Sequence, residues 1–73
     1  MTSVRIYNTC VGHFKEPSES TKVLRKLNEL GYKGFLFSMN DFYTLKVIMT
    51  PDPSKAAMVQ MQLSSLGFDA FVN

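Results

Sequence analysis

The stretch Tyr7–Phe37, YNTCVGHFKEPSESTKVLRKLNELGYKGFLF, occurs twice in this chain in related form. A shift of 36 residues aligns it without a gap with Tyr43–Asn73, YTLKVIMTPDPSKAAMVQMQLSSLGFDAFVN. Nine of the 31 aligned pairs are identical, and most of these are apolar residues, a proline or a glycine. Because such residues determine folding rather than chemistry, the sequence predicts two copies of one folding unit.

The first copy is predicted to form a strand, a helix and a second strand. The alternation of Val4–Val11 indicates a strand, and a loop is expected at 12–16. Pro17 is typical of the first turn of a helix, and Gly31 is typical of the residue that follows its end. The strand Tyr32–Met39 completes the unit.

The second copy repeats this order after a tight turn at Asn40–Asp41, whose residues tolerate left-handed backbone angles. Phe42–Thr50 alternates as a strand does. Asp52–Pro53 starts a helix with a capping carboxylate followed by proline. Gly67 ends that helix, and Phe68–Val72 is the last predicted strand.

Two β-α-β units joined by a hairpin predict an α+β fold of the ferredoxin-like βαββαβ type. In this arrangement a four-stranded antiparallel sheet carries both helices on one face. Residues 1–73 are expected to form one domain, with halves at about residues 4–39 and 42–73. The other sheet face, here called the open face, is left uncovered.

Alternation along the strands predicts which residues lie on each face of the sheet. The helix-facing set is Tyr7, Thr9, Val11, Leu36, Leu45, Val47, Met49, Ala70 and Val72. The open-face set is Ile6, Asn8, Cys10, Lys33, Phe35, Phe37, Met39, Phe42, Thr44, Lys46, Ile48, Asp69 and Phe71. A solvated sheet face is usually polar, so this apolar set indicates either a ligand site or packing between two copies.

Composition and charge exclude several classes of protein. With 45% apolar and 19% charged residues the chain is globular, and no run approaches the roughly 20 apolar residues of a membrane span. A net charge of +2 is too small for a protein built around a phosphate backbone, and the strand from Tyr43 lacks the aromatic RNA-recognition pattern. Nucleic acid and membrane partners are therefore not expected. The start of the sequence shows no export signal, which predicts a cytoplasmic protein.

Cys10 and His13 are the residues with the clearest potential for chemistry. Their Cys-x-x-His spacing differs from the two-thiolate loop that binds soft metals. A loop histidine without a nucleophile or carboxylate beside it in sequence does not indicate acid-base catalysis. The sequence therefore predicts neither an enzyme nor a metal site or cofactor, with His13 as a solvated loop residue.

Three segments resemble SPOR (sporulation-related repeat) domains of bacteria and their phages. Tyr7–Phe14 is similar to the opening strand of that family, while Leu27–Phe35 and Leu63–Phe71 are similar to its two helix-to-strand junctions. The resemblance implies the same β-α-β duplication and a non-catalytic module that binds glycan strands of bacterial peptidoglycan across the open face. A protein without an export signal would reach the wall only after lysis or as part of an exported protein.

The open face offers suitable chemistry for such a ligand, because sugars stack on aromatic rings and exchange hydrogen bonds with amide, hydroxyl and ammonium groups. The candidate ligand-binding residues are Asn8, Cys10, Phe35, Phe37, Thr44, Lys46, Ile48 and Phe71. Phe35 and Phe71 are the expected stacking platforms.

A different function also fits the sequence, namely a small protein-interaction or homodimeric domain. Its interface would be the open face of the sheet or the second helix. That helix has Lys55 as its only charged residue, and Met58 and Met61 broaden its apolar surface. The two methionines are predicted to fill the core rather than to dock a partner.

Overall fold

The computed structural model describes residues 4–73, in which four strands and two α-helices follow the predicted order β-α-β-β-α-β. Their bounds are β1 Tyr7–Phe14, α1 Ser20–Glu29, β2 Phe35–Met39, β3 Phe42–Thr50, α2 Pro53–Ser65 and β4 Ala70–Val72. A 3-10 turn, Pro17–Glu19, leads into α1. The strand order is β2-β3-β1-β4 with antiparallel neighbours, which confirms the ferredoxin-like fold class.

The two helices end in the same way, so the internal repeat is visible in the backbone. Gly31 follows α1 with a φ of 90°, a left-handed angle that glycine adopts without a steric penalty. The Tyr32 N–H then donates to the Leu27 carbonyl at 2.9 Å. In the second copy the Phe68 N–H donates to the Leu63 carbonyl at 3.1 Å. Both pairs satisfy a carbonyl that the helix end would otherwise leave free.

Both helices pack on one face of the sheet and close a small apolar core. The buried cluster is Val11, Phe14, Leu27, Leu45, Val47, Val59 and Leu63. Thr9 also points to this side, where its hydroxyl donates to the Ala56 carbonyl of α2 at 2.8 Å. That hydrogen bond satisfies a buried polar group between β1 and α2.

The strand β1 differs from the prediction because it contains a bulge. It begins at Tyr7 instead of Val4 and continues to Phe14, through residues that were expected to form a loop. Gly12 and His13 together lie opposite the single residue Thr44, and Gly12 has a φ of 83°. We call this the Gly12 bulge. It turns the Phe14 side chain into the core.

A second bulge lies in β3. Thr9 pairs with Ile48 and Cys10 pairs with Lys46, so Val47 is an extra residue without a direct partner. An extra residue shifts the alternation of all residues that follow it in the strand. The predicted faces are therefore right up to Lys46 and wrong after Val47.

The residues after this bulge exchange faces relative to the prediction. Ile48 pairs with the helix-facing Thr9 and packs against the core, so its predicted place on the open face is wrong. Met49 pairs with Asn8 on the open face and has 65% of its surface exposed. Its predicted place in the core is wrong for the same reason.

Other predicted positions shift because elements are shorter than expected or turn away from the sheet. Lys33 was expected within the second strand, but it precedes β2, which begins at Phe35. Spacings of three and four residues predict Leu30 and Leu66 as the last members of the apolar stripe of each helix, but both follow the last helical turn and are half exposed. The prediction that Met58 and Met61 fill the core is also wrong, because both are exposed.

Candidate functional site

One row of residues crosses the open face through all four strands. Phe35 of β2 pairs with Lys46 of β3, Lys46 pairs with Cys10 of β1, and Cys10 pairs with Phe71 of β4. Directly opposed residues of antiparallel strands have adjacent side chains on the same face. The structure therefore brings four of the predicted site residues into one line, with an aromatic ring at each end.

At the β2 end of this row the surface forms a groove of about 370 Å³, which we call the Phe35 groove. It is lined by Phe35, Phe37, Lys46 and the segment 47–49. Phe35 is 64% exposed and Phe37 is 43% exposed. Two accessible rings on neighbouring positions of one face offer a flat apolar surface to a ligand.

Lys46 brings a positive charge to the Phe35 groove. Its Nζ lies 3.6 Å from the centroid of the Phe37 ring, which is a cation-π contact. The contact holds the ammonium over the sheet instead of leaving it free in solvent. An ammonium fixed beside exposed rings can donate hydrogen bonds to hydroxyl, carbonyl or carboxylate oxygens of a ligand.

At the β4 end a second group of rings is built around His13, and we call it the His13 cluster. The His13 ring stacks on Phe71 with centroids 4.7 Å apart, and it meets Phe42 at 4.6 Å with the planes tilted by 44°. His13 Nδ1 lies 3.0 Å from Asp69 Oδ2. The rings and the carboxylate thus hold the imidazole in one orientation.

The middle of the open face is formed by buried side chains, and we call it the floor. Cys10 and Thr44 have no exposed surface, and the Thr44 hydroxyl donates to the Val11 carbonyl at 3.1 Å. Burial raises the pKa of the Cys10 thiol, and the nearby Lys46 ammonium offsets only part of that rise. At neutral pH the thiol therefore stays protonated, which makes it a poor nucleophile and a poor ligand for soft metals.

The predicted site residues consequently divide into two groups. Those at the surface of the open face are Asn8, Phe35, Phe37, Lys46 and Phe71. Cys10 and Thr44 lie on this face as predicted, but burial removes them from the surface that a ligand meets. Ile48 is turned toward the helices by the bulge at Val47. Burial therefore corrects Cys10 and Thr44 as direct ligand contacts, whereas Ile48 still lines the Phe35 groove and stays a predicted contact.

Sequence reasoning missed His13 and Met49 as components of this face. His13 is solvent-exposed as predicted, but its predicted place in a loop is wrong, since it lies in β1 and stacks on Phe71. The available signal was Gly12, because a glycine inside a strand pattern often marks a bulge. No comparable residue marks the bulge that exposes Met49.

The described residues offer few features of other functional classes. Among residues 4–73, no three His, Cys, Asp or Glu side chains come together as ligands for a metal ion. Neither helix in this part of the chain combines the length and the apolar character that crossing a bilayer requires.

A known structure shares the fold of the whole chain. It is the solution structure of the peptidoglycan binding domain of the B. subtilis cell wall lytic enzyme CwlC. The two structures superpose with a TM-score of 0.81 at 18% sequence identity, over 100% of this chain and 92% of that one. No protein-family model matches the sequence, and no curated protein matches it either. The SPOR-like fold inferred from the sequence is confirmed.

Proposed function

We propose that this chain is a non-catalytic module that binds glycan strands of bacterial peptidoglycan across the open face of its sheet. The observation that carries the proposal is the Phe35 groove, in which two exposed rings lie beside the Lys46 ammonium. The shared fold with a peptidoglycan binding domain supports the same conclusion.

The groove suits the two kinds of surface that a glycan presents. The C–H faces of sugar rings pack on Phe35 and Phe37, while the Lys46 ammonium donates to ring hydroxyl and acetamido oxygens. Removal of the stem peptide leaves a carboxylate on the lactyl group of the sugar. Lys46 would pair with that carboxylate, which favours strands stripped of their peptides.

The open face is wide enough for more than one sugar ring. Four strands with a spacing of about 4.8 Å separate the outer strands by about 14 Å. A strand that starts in the Phe35 groove and crosses the floor would reach the His13 cluster at Phe71. Asn8, which pairs with Met49 beside the groove, would provide an amide at the edge of this path.

The two equally exposed methionines provide a matched test of this proposal. Met49 borders the groove and Met61 lies on α2, and each has 65% of its surface exposed. We expect Met49→Ala to weaken co-sedimentation with amidase-treated cell walls about threefold to tenfold, because it removes apolar contact area. Met61→Ala should bind as the parent chain does.

The same binding assay with untreated walls serves as the control for strand chemistry. We expect weaker binding there, because stem peptides occupy the lactyl carboxylates. Equal losses for Met49→Ala and Met61→Ala, or no binding of the folded parent chain to either wall preparation, would refute a glycan site at the Phe35 groove.

A further inference from the structure

The edge strand β2 is apolar on both of its faces and covered on neither. Phe35 and Phe37 are exposed on the open face, and Leu36, on the helix side, is 46% exposed. One long side of β2 pairs with β3, whereas the other is the edge of the sheet. Proteins usually protect such an edge with charges, proline or a bulge, and Phe35–Met39 has none of these.

The turn after β2 determines which backbone groups point outward. Met39 and Phe42 flank a turn of two residues, so they form a hydrogen-bonded pair. Because such pairs alternate along an antiparallel ladder, Phe37 and Phe35 are also hydrogen-bonded to β3. Leu36 and Ser38 lie between these residues and belong to the pairs that exchange no hydrogen bonds with β3. Their N–H and C=O groups therefore point away from β3, toward the free edge.

We propose that a second copy of this chain pairs with β2, antiparallel and across a twofold axis at Phe37. Only this register pairs all five residues of the strand with the same strand of the partner. It places Leu36 opposite the partner's Ser38, and both residues have outward backbone groups, as a hydrogen-bonded pair requires. Phe37 then meets the partner's Phe37 in the closer, non-hydrogen-bonded position, where aromatic pairs contribute most.

Charge at the ends of β2 favours the same register. Lys33 lies four residues before Phe37, and Asp41 lies four residues after it. An antiparallel pair centred on Phe37 therefore brings Lys33 to the same end of the interface as the turn that carries the partner's Asp41, and the twofold axis repeats this arrangement. Opposite charges at both ends favour a second copy in this register, whereas a shift by two residues moves these charges apart.

The other free edge is a poorer candidate. The strand β4 has three residues, and α2 packs against it.

The interface at β2 is small, because one strand and three exposed apolar side chains bury less than the roughly 800 Å² per partner of a standard interface. We therefore expect a weak dimer that dissociates below about 100 μM.

The dimer would contain one continuous sheet of eight strands, four from each copy. Its twofold axis is perpendicular to the sheet, so both open faces and both Phe35 grooves lie on the same side. If the proposed function holds, one glycan strand could contact two grooves and bind more tightly through the raised local concentration. The pairing itself does not depend on glycan binding.

The test is the mass of the chain in solution without any cell-wall material. The monomer is 8.3 kDa, and we expect the weight-average mass from sedimentation equilibrium to rise toward twice that value as the concentration approaches about 1 mM. Ser38→Pro removes an outward N–H that β3 does not use, and proline is tolerated at such an edge position. We expect it to raise the dimer Kd at least about tenfold, while Ser38→Ala leaves it unchanged.

A charge exchange tests the register independently of any effect of proline on the fold. Lys33→Glu and Asp41→Lys should each weaken the dimer severalfold, because each brings like charges to the same end of the interface. The double variant should restore the parent Kd. A mass of 8.3 kDa at every concentration, or a double variant as weak as the single ones, would overturn the proposal. Loss of wall binding with the dimer intact would instead count against the proposed function alone.

Discussion

Gly12→Ala is expected to lower the free energy of unfolding by about 2–5 kcal/mol. A left-handed backbone costs a residue with a side chain about 1–2 kcal/mol, and Gly12 has a φ of 83°. The new methyl group would also overlap the tip of the Phe14 ring. Phe14 is part of the core, so its displacement adds an overpacking cost of about 1–3 kcal/mol. Because domains of this size have about 3–5 kcal/mol in total, much of the protein should unfold.

Gly31→Ala is the matched control for this substitution, measured in the same urea denaturation series. Gly31 has a φ of 90°, but a methyl group there would meet no atom within 4 Å. Gly31→Ala should therefore lower the free energy of unfolding by about 1–2 kcal/mol, the cost of the left-handed backbone alone. Phe14→Leu shortens the side chain that obstructs the methyl group, so Gly12→Ala should cost less in that background. If Gly12→Ala costs no more than Gly31→Ala, the described packing of the Gly12 bulge is incorrect.

The double variant Phe35→Ala plus Phe37→Ala is expected to lower the affinity for stripped glycan strands by at least about 30-fold. Aromatic residues at the centre of a binding site commonly contribute about 2 kcal/mol or more, which corresponds to that factor. The loss of Phe37 also removes the ring that holds the Lys46 ammonium over the face. Isothermal titration with soluble glycan oligomers measures the change.

This variant should stay folded, because neither ring belongs to the buried core. Met58→Ala plus Leu66→Ala is a suitable control, since both side chains are exposed and lie outside the open face. It should bind glycan as the parent chain does. Full affinity in the phenylalanine variant would exclude the Phe35 groove as the binding surface.

The repeat made most of the fold predictable. Apolar residues at helical and strand spacing, with Pro and Gly at the element ends, predict the order of elements and the hairpin. The predicted strand Phe42–Thr50 matches β3 in both bounds, and α2 begins at Pro53 as expected. Helical spacing predicts Leu27 and Leu63 on the inner faces of the helices, alternation predicts Leu45 on the helix side of β3, and all three are buried. These features follow from local sequence patterns that occur in both copies of the repeat.

The candidate site was less predictable because it depends on strand register. Alternation assigns faces correctly only until an extra residue enters a strand, and Val47 is such a residue. It exchanges the faces of Ile48 and Met49, although nothing in the local sequence distinguishes Val47 from its neighbours. His13 reaches the open face through the other bulge. The glycine at position 12, with its left-handed backbone, indicates this bulge, but alternation alone does not take it into account.

Alternation along the strands also could not predict which side chains of the open face are buried. Cys10 and Thr44 have the predicted orientation, yet neither has any exposed surface. A pattern predicts which way a side chain points, whereas accessibility depends on the size and conformation of all its cross-strand neighbours. Phe37 and Phe71 lie on the same face and keep part of their surface accessible.

The central claim is that glycan binds on the open face, and amide chemical shifts recorded during titration with peptide-free glycan strands test it most directly. We predict concentration-dependent shifts for Phe35, Phe37, Lys46 and Met49, extending to Phe71, with little change along the outer surface of α2. Shifts confined to the helices, or none at glycan concentrations up to about 10 mM, would contradict the claim.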